Sequence, residues 1–209
     1  MFTGIIQSTA PIIAIEEKKF FRTHYILLPV ELLPNLNIGA SVAHNGCCLT
    51  VTGINGTLIS FDLMKETLRL TNLCQLKVGD EINIERAARL HSEISGHLIS
   101  GHIICIAELM KIIISENNRQ LWFSLHNYTL IKYVLHKGYI ALDGISLTVG
   151  KVVNNCFCVH LIPETLLRTT LGKKLLGYNV NIEIDSQTQL IVNTVERVFL
   201  AKSNHNFCY

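Results

Sequence analysis

The sequence predicts an all-β protein: two similar closed barrels of about six strands each, in tandem, followed by a single α-helix. Three observations predict it. A long stretch of the first half is written again in the second. Each half is a series of short apolar or alternating segments separated by tight-turn signals. Helical spacing of apolar residues is confined to the C-terminal tail.

The repeat is clearest where "NGCCLTV" (45–51) returns as "DGISLTV" (143–149), 98 residues on. The register then holds without a gap for about 40 residues. Gly46 meets Gly144, and Leu49-Thr50-Val51 meets Leu147-Thr148-Val149. Glu66-Thr67-Leu68 meets Glu164-Thr165-Leu166, and Thr71 meets Thr169. Gly79 meets Gly177, and "INIE" (82–85) meets "VNIE" (180–183). Near the start of each half "TGII" (3–6) resembles "SGHI" (100–103) at a spacing of 97, so one net insertion separates the two matches. This period is too long for a solenoid and fits a duplicated domain. The expected units are 1–97 and 98–195, with a helix over 186–202. A shared core would account for the repeated Leu and Val. It accounts less well for Thr50/Thr148, Glu66/Glu164 and Thr67/Thr165, which are polar and need hydrogen-bond partners if buried.

Within each half the segments read as strands. "SVAHNGCCLTV" (41–51), "TLISFDLM" (57–64) and "DEINIERA" (80–87) alternate or run apolar over strand-like lengths. Asn-Gly at 45–46 and 55–56 and Asp-Gly at 143–144 are hairpin signals, because both residues tolerate positive φ. Gly79 and Gly177 sit in further turns. "MKETLRLTNL" (64–73) and "PETLLRTTL" (163–171) read as short helical turns entered from a strand. In the tail, Ile191, Val195 and Val198 recur at spacings of four and three, flanked by Leu190 and Phe199, which makes one apolar helix face. That helix lies outside both repeats, so it either packs back on a barrel or joins a partner chain.

Composition sets the function classes aside. Hydrophobic residues make up 49% and charged ones 16%, enough for a buried core and unlike a disordered chain. The net charge is +2 with both signs scattered and no Lys/Arg stripe, so no nucleic-acid footprint is expected. The apolar runs are too short for a membrane span. No basic leader precedes an apolar run, and the seven cysteines are odd in number, so a cytoplasmic chain without a disulfide framework is expected. Without a C-x-x-C motif a zinc site is not expected, and without G-x-G-x-x-G after a strand neither is a nucleotide-binding reductase.

"MFTGII" (1–6), "GASVAHNGCCLTV" (39–51), "SFDLMKETLRLTNL" (60–73), "KGYIALDGISLTV" (137–149) and "HLIPETLLRTTLG" (160–172) resemble the riboflavin synthases of the alpha-chain type. The resemblance extends from Met1 to about Val198. It implies two six-stranded Greek-key barrels and a C-terminal helix through which homotrimers form. It implies a transferase that takes two molecules of 6,7-dimethyl-8-ribityllumazine and passes a four-carbon unit between them. The products are riboflavin and 5-amino-6-(ribitylamino)uracil, with no metal or other cofactor. An active site shared between neighbouring subunits and an association with lumazine synthase are further expectations. A dismutation of two identical substrates needs two similar pockets, which explains why one chain carries the heptapeptide twice.

By the same resemblance, backbone edges at Gly4, Ile5 and Ile6, at Cys48, Leu49 and Thr50, at Gly101, His102 and Ile103, and at Ser146, Leu147 and Thr148 line the two pockets. Asp62, Leu63, Met64, Lys65, Glu66 and Thr67 would close one site, and Leu161, Ile162, Pro163, Glu164 and Thr165 the other. Glu66 and Thr165 are candidates for the ribityl hydroxyls, whereas Leu49, Leu63, Leu147 and Leu161 read equally well as core. The chemistry requires a proton to leave the substrate's 7-methyl group and a nucleophile to add to the second ring. Negative charge then spreads over the pteridine, where N–H donors or a cation help. His102 is the expected general acid/base, because histidine titrates near neutrality. Ser146, Cys48, Thr148 and water are candidate nucleophiles or relays, and the apolar run around Cys48 favours binding over attack. Lys137 either steadies the developing charge or is a solvated turn residue. Asp143 either orients His102 or Ser146 or serves the hairpin. His97, five residues before His102, falls on the opposite face if the segment is a strand, and so counts for little. A pigment carrier without turnover is the competing reading, against which stand the intact polar motifs of both halves.

Overall fold

A computed structural model describes residues 1–91, 93–116 and 118–205. Alternation in the sequence becomes alternation of burial. In "LISFDLM" (58–64), Ile59, Phe61 and Leu63 are fully buried while Ser60 and Asp62 are half-buried. The first half supplies β1 (Ser8–Glu17), β2 (Phe21–Leu27), β3 (Ser41–His44), β4 (Cys47–Asn55), β5 (Leu58–Met64) and β6 (Glu81–Arg86). The second supplies β7 (Cys105–Ser115), β8 (Asn118–Leu125), β9 (Tyr139–Leu142), β10 (Ile145–Val153), β11 (Cys156–Leu161) and β12 (Asn179–Ile184). Each set closes into a six-stranded antiparallel barrel, in the circular orders β1-β2-β5-β4-β3-β6 and β7-β8-β11-β10-β9-β12. In both, three hairpin-linked strands are followed by one that returns beside the first, which is a Greek key. The two short helices, α1 (Lys65–Leu70) and α2 (Pro163–Arg168), begin those return connections.

The barrels dock through their repeated hairpins. Asn45-Gly46 and Asp143-Gly144 all have positive φ, as a type I′ turn requires. The two turns meet back to back: a Cβ on Gly46 would lie 2.5 Å from the Gly144 nitrogen, and a Cβ on Gly144 2.7 Å from the Gly46 nitrogen. Two asparagines bind the seam reciprocally. Asn83 donates to the Asp143 carbonyl and Asn181 to the Asn45 carbonyl, each at 2.9 Å.

The C-terminal helix α3 runs from Ser186 to His205 and is capped by Asp185, which accepts from the Thr188 amide and hydroxyl. It touches the second barrel through Val192, through Asn193, which accepts from the Tyr133 hydroxyl, and through Glu196, paired with Lys132. The stripe of Ile191, Val195 and Val198 is not that face. It is exposed, as are Leu190 and Phe199. Residues 206–209, Cys208 among them, lie outside the described residues.

Candidate functional site

The pockets are assembled by exchange. The segment before β1 leaves its own barrel, so that the Gly4 carbonyl accepts from the Ser146 amide of β10 at 2.9 Å. The segment before β7 does the converse, the Gly101 carbonyl accepting from the Cys48 amide of β4 at 2.9 Å. The side chains follow. Ile6 packs against the core of the second barrel and Ile103 belongs to that of the first. The two leaders cross as a short antiparallel pair, Phe2 with Ile99. Gly4 and Gly101 have φ of 76° and 84°, and a Cβ on either would come within 2.5 Å of Ser146 or Cys48 respectively.

A buried carboxylate holds each leader. Glu85 accepts from the Thr3 amide and hydroxyl and from the Gly4 amide. Glu183 accepts from the Ser100 amide and hydroxyl and from the Gly101 amide. Burial raises the pKa of both carboxyls, and the three donors oppose that rise only in part.

The second-barrel site is a cavity of about 340 Å³ lined by Ile5, Ile6, Ser146, Glu164, Thr165 and Arg168 among others. Beside it stands a residue that strand periodicity discounts. His97 Nδ1 lies 2.7 Å from Ser146 Oγ, its ring stacks on Tyr139 with centroids 5.0 Å apart, and its amide donates to the Thr3 carbonyl. The expectation for His97 fails because residues 97–102 form no strand. Burial holds its pKa below the usual histidine value, against a smaller opposing pull from Asp185. A neutral imidazole bonded to a serine hydroxyl can pass a proton. The missed signal lay in "ISGHLISGHI" (94–103), where ISGH occurs twice. The first copy serves the second barrel and the second copy the first.

The structure brings Cys48, Gly101 and Ile103 together on one barrel, and Ser146, Gly4 and Ile6 on the other. His102 follows Gly101 on that leader and is exposed; its amide donates to Ser100 Oγ, and it lines a separate cavity with Ser100, Ile103, Glu183 and Ile184. Cys48 is half-buried, and burial pushes the thiol of its neighbour Cys47 up to about 12. Asp143 does not orient Ser146 or His102. Its Oδ1 accepts from Asn72 and from the Asn181 amide in the seam, and burial raises its pKa to about 7. Lys137 is exposed in a turn with φ of 66°, its amide bonded to the Val149 carbonyl. Thr50 and Thr148 are exposed at the pocket strands, so no buried partner explains their repetition. Thr67 and Thr165 offer their carbonyls to the Thr71 and Thr169 hydroxyls. Glu66 pairs with Arg69 and Glu164 with Arg168, both in solvent. Asp62 accepts from the Thr23 hydroxyl, while Met64, Lys65, Ile162 and Pro163 are exposed at the starts of α1 and α2. Leu49, Leu63, Leu147 and Leu161 are buried core.

Comparison with known proteins gives this geometry a context. The lumazine binding domain family matches twice, over residues 3–87 and 100–185. Riboflavin synthase of Escherichia coli K12 is 65% identical over 204 residues, 98% of this chain and 96% of that one. Crystal structures of LumP with riboflavin and with 6,7-dimethyl-8-(1'-D-ribityl) lumazine superpose with TM-scores of 0.83 and 0.81. Each is 25% identical and covers 89% of this chain and 100% of the other.

Proposed function

The chain belongs to the riboflavin synthase family, and from that premise we propose that each barrel seats one 6,7-dimethyl-8-ribityllumazine, between which the enzyme transfers a four-carbon unit. One molecule leaves as riboflavin and the other as 5-amino-6-(ribitylamino)uracil. The observation that carries this reading is the duplicated exchange of leaders. Two barrels of one topology each place a left-handed glycine carbonyl of the exchanged leader against a strand amide, at Ser146 and at Cys48.

Within this reading the pockets divide the work. The ring in the second barrel lies beside Ser146 and His97, a pair suited to moving the proton of a 7-methyl group or of an attacking water. The ring in the first lies beside Cys48, Gly101 and His102. Ionisation of the methyl group places negative charge on the pteridine, which fixed donors in the pocket would stabilise without reorganisation. The exposed Thr50 and Thr148 hydroxyls and the threonines at the α1 and α2 starts suit a polyhydroxylated ribityl chain.

The exposed stripe Ile191, Val195 and Val198 on α3 supports self-association, which we assign as a homotrimer with active sites completed between neighbouring subunits; sedimentation of the purified chain checks this. The six described cysteines are all free, as in a reducing cytoplasm. Association with lumazine synthase would pass the substrate directly. Incubation with the lumazine alone, without metal or nucleotide, should yield riboflavin by absorbance. Stable binding without turnover would favour the carrier.

A further inference from the structure

Neither pocket is finished by its own barrel alone, and the groups that finish them are fixed at both ends. We propose that Glu85 and Glu183 are reciprocal positioning residues. Glu85, on β6 of the first barrel, sets the pocket of the second, and Glu183, on β12 of the second, sets the pocket of the first. The proposal rests on the pocket reading given above and adds to it the residues that shape each site from a distance.

One peptide on each side links the carboxylate to the opposite barrel. Glu85 Oε1 accepts from the Thr3 amide at 2.6 Å and the Thr3 hydroxyl at 2.8 Å, and Oε2 accepts from the Gly4 amide at 3.0 Å. The carbonyl of the same Gly4 accepts from the Ser146 amide at 2.9 Å. Gly4 therefore spans the seam, with its N–H on a carboxylate of one barrel and its C=O on a strand of the other. The second half repeats this. Glu183 Oε1 accepts from the Ser100 amide at 2.6 Å and hydroxyl at 2.7 Å, Oε2 accepts from the Gly101 amide at 2.9 Å, and the Gly101 carbonyl accepts from the Cys48 amide at 2.9 Å.

Only a carboxylate suits this place. Three donors converge on two oxygens, and an amide side chain would turn an N–H₂ group toward one of them. Bonds of this kind to a buried ionised acceptor are roughly twice as strong as neutral ones. Both carboxylates are buried, with 3% and 7% of their surface exposed. Neither is among the residues that line the Ser146 cavity. They act through the leader, whose next residues include Ile5 and Ile6, which line the Ser146 cavity, and on the other side Ile103, which packs in the core of the first barrel.

A carboxylate that only anchored the chain would weaken both pockets together when altered. A positioning carboxylate has a crossed signature. The native Cys48 thiol reports the first pocket, and a thiol introduced by Ser146→Cys reports the second. In the full-length protein, alkylation of each by iodoacetamide, read by peptide mass, is titrated with riboflavin. We expect Glu85→Gln to raise the half-protecting concentration about tenfold at the Ser146→Cys thiol and to leave Cys48 within about twofold, since one charge-assisted bond is worth about that factor. Glu183→Gln should do the reverse. If either glutamine variant does not fold, the aspartate variants, shorter by one methylene, should show the same crossed pattern with a smaller shift. Equal losses in both pockets, a loss on the same-barrel side, or no loss would overturn the proposal. Failure of riboflavin to protect either thiol in the parent protein would overturn the pocket reading, and the proposal with it.

Discussion

The two barrels share a strand order, a pair of hairpins and a clamped leader, yet they are filled differently. The first barrel buries His24 and His44 where the second has Leu121 and Leu142. All four imidazole nitrogens lack a hydrogen-bond partner, and the His44 ring meets the edge of Phe61 at 4.2 Å. The second barrel stacks Phe123 on Phe157 instead. At the pockets the contrast is chemical. Ser146 has a histidine in hydrogen-bond contact with its hydroxyl, whereas Cys48, its counterpart, packs against the apolar cluster of Phe2, Ala43, Ile99 and Ala141. A dismutation needs its two rings held alike and treated unlike. The backbone frame is what duplication kept, and side chains at the chemistry and in the core are what it let drift.

The largest effect should come from removing the feature present on one side only. Ser146→Ala or His97→Ala should lower kcat by about a hundredfold, the usual range for one acid–base group, with a much smaller change in ligand affinity. The double variant should be little worse than either alone, since the two side chains act through one hydrogen bond. Steady-state rates with parallel equilibrium titration check this. Losses that simply multiply would separate the two residues. His102→Ala probes the leader that serves the first barrel. A kcat loss as large as that of His97→Ala would mean that each barrel has its own acid–base group.

Acid should separate the two barrels. Burial lowers the pKa of His24 from 6.5 to about 4 and that of His44 from 6.5 to about 3. The unfolded chain therefore binds more protons than the folded one through this window. The stability of the first barrel is intact above pH 6.5 and is lost as pH falls toward 4 and then 3. Hydrogen exchange in β2 and β5 should rise at a higher pH than in β8 and β11. Trp122, the chain's one tryptophan, should hold its fluorescence after β2 has begun to exchange. Replacing both histidines by leucine should move the acid midpoint of the first barrel down by about one pH unit. Simultaneous loss of both barrels at one pH would show that the seam, not the core histidines, controls acid unfolding.

These contrasts mark what the sequence could express. The fold was legible because duplication prints the same strand pattern twice and the Asn-Gly and Asp-Gly turns fix the hairpins. The pocket strands at Cys48 and Ser146 were legible for the same reason. The exchange of leaders was not. "TGII" and "SGHI" align with each other whichever barrel they join, since alignment records likeness and not docking. His97 was hidden by assuming a strand through an irregular linker, and Asp143 was overvalued because a hairpin aspartate and a catalytic one look identical until its partners, Asn72 and Asn181, are seen. Glu85 and Glu183 stood in the repeated "NIE", where nothing local distinguishes a buried clamp from a solvated strand end.

The smallest expected effect tests one last departure from symmetry. The turn before β9 carries Lys137 at φ 66°, where the turn before β3 carries Gly39 at φ 89°. Both amides make the same bond, to Val149 and to Val51, at 2.9 Å, so the turns are equivalent and the lysine occupies a backbone state that suits glycine. A lysine held there costs on the order of 1 kcal/mol, partly offset by the chain entropy that glycine would lose on folding. Lys137→Gly should therefore leave thermal stability unchanged or raise it by at most about 1 kcal/mol, as differential scanning calorimetry would show. If the lysine is kept for the ligand, the same variant should bind the lumazine about threefold to tenfold more weakly, the worth of one partly exposed charge-assisted contact. A variant that gained stability and kept full affinity would make Lys137 an ordinary turn residue and would leave the Ser146–His97 pair as the main chemical difference between the barrels.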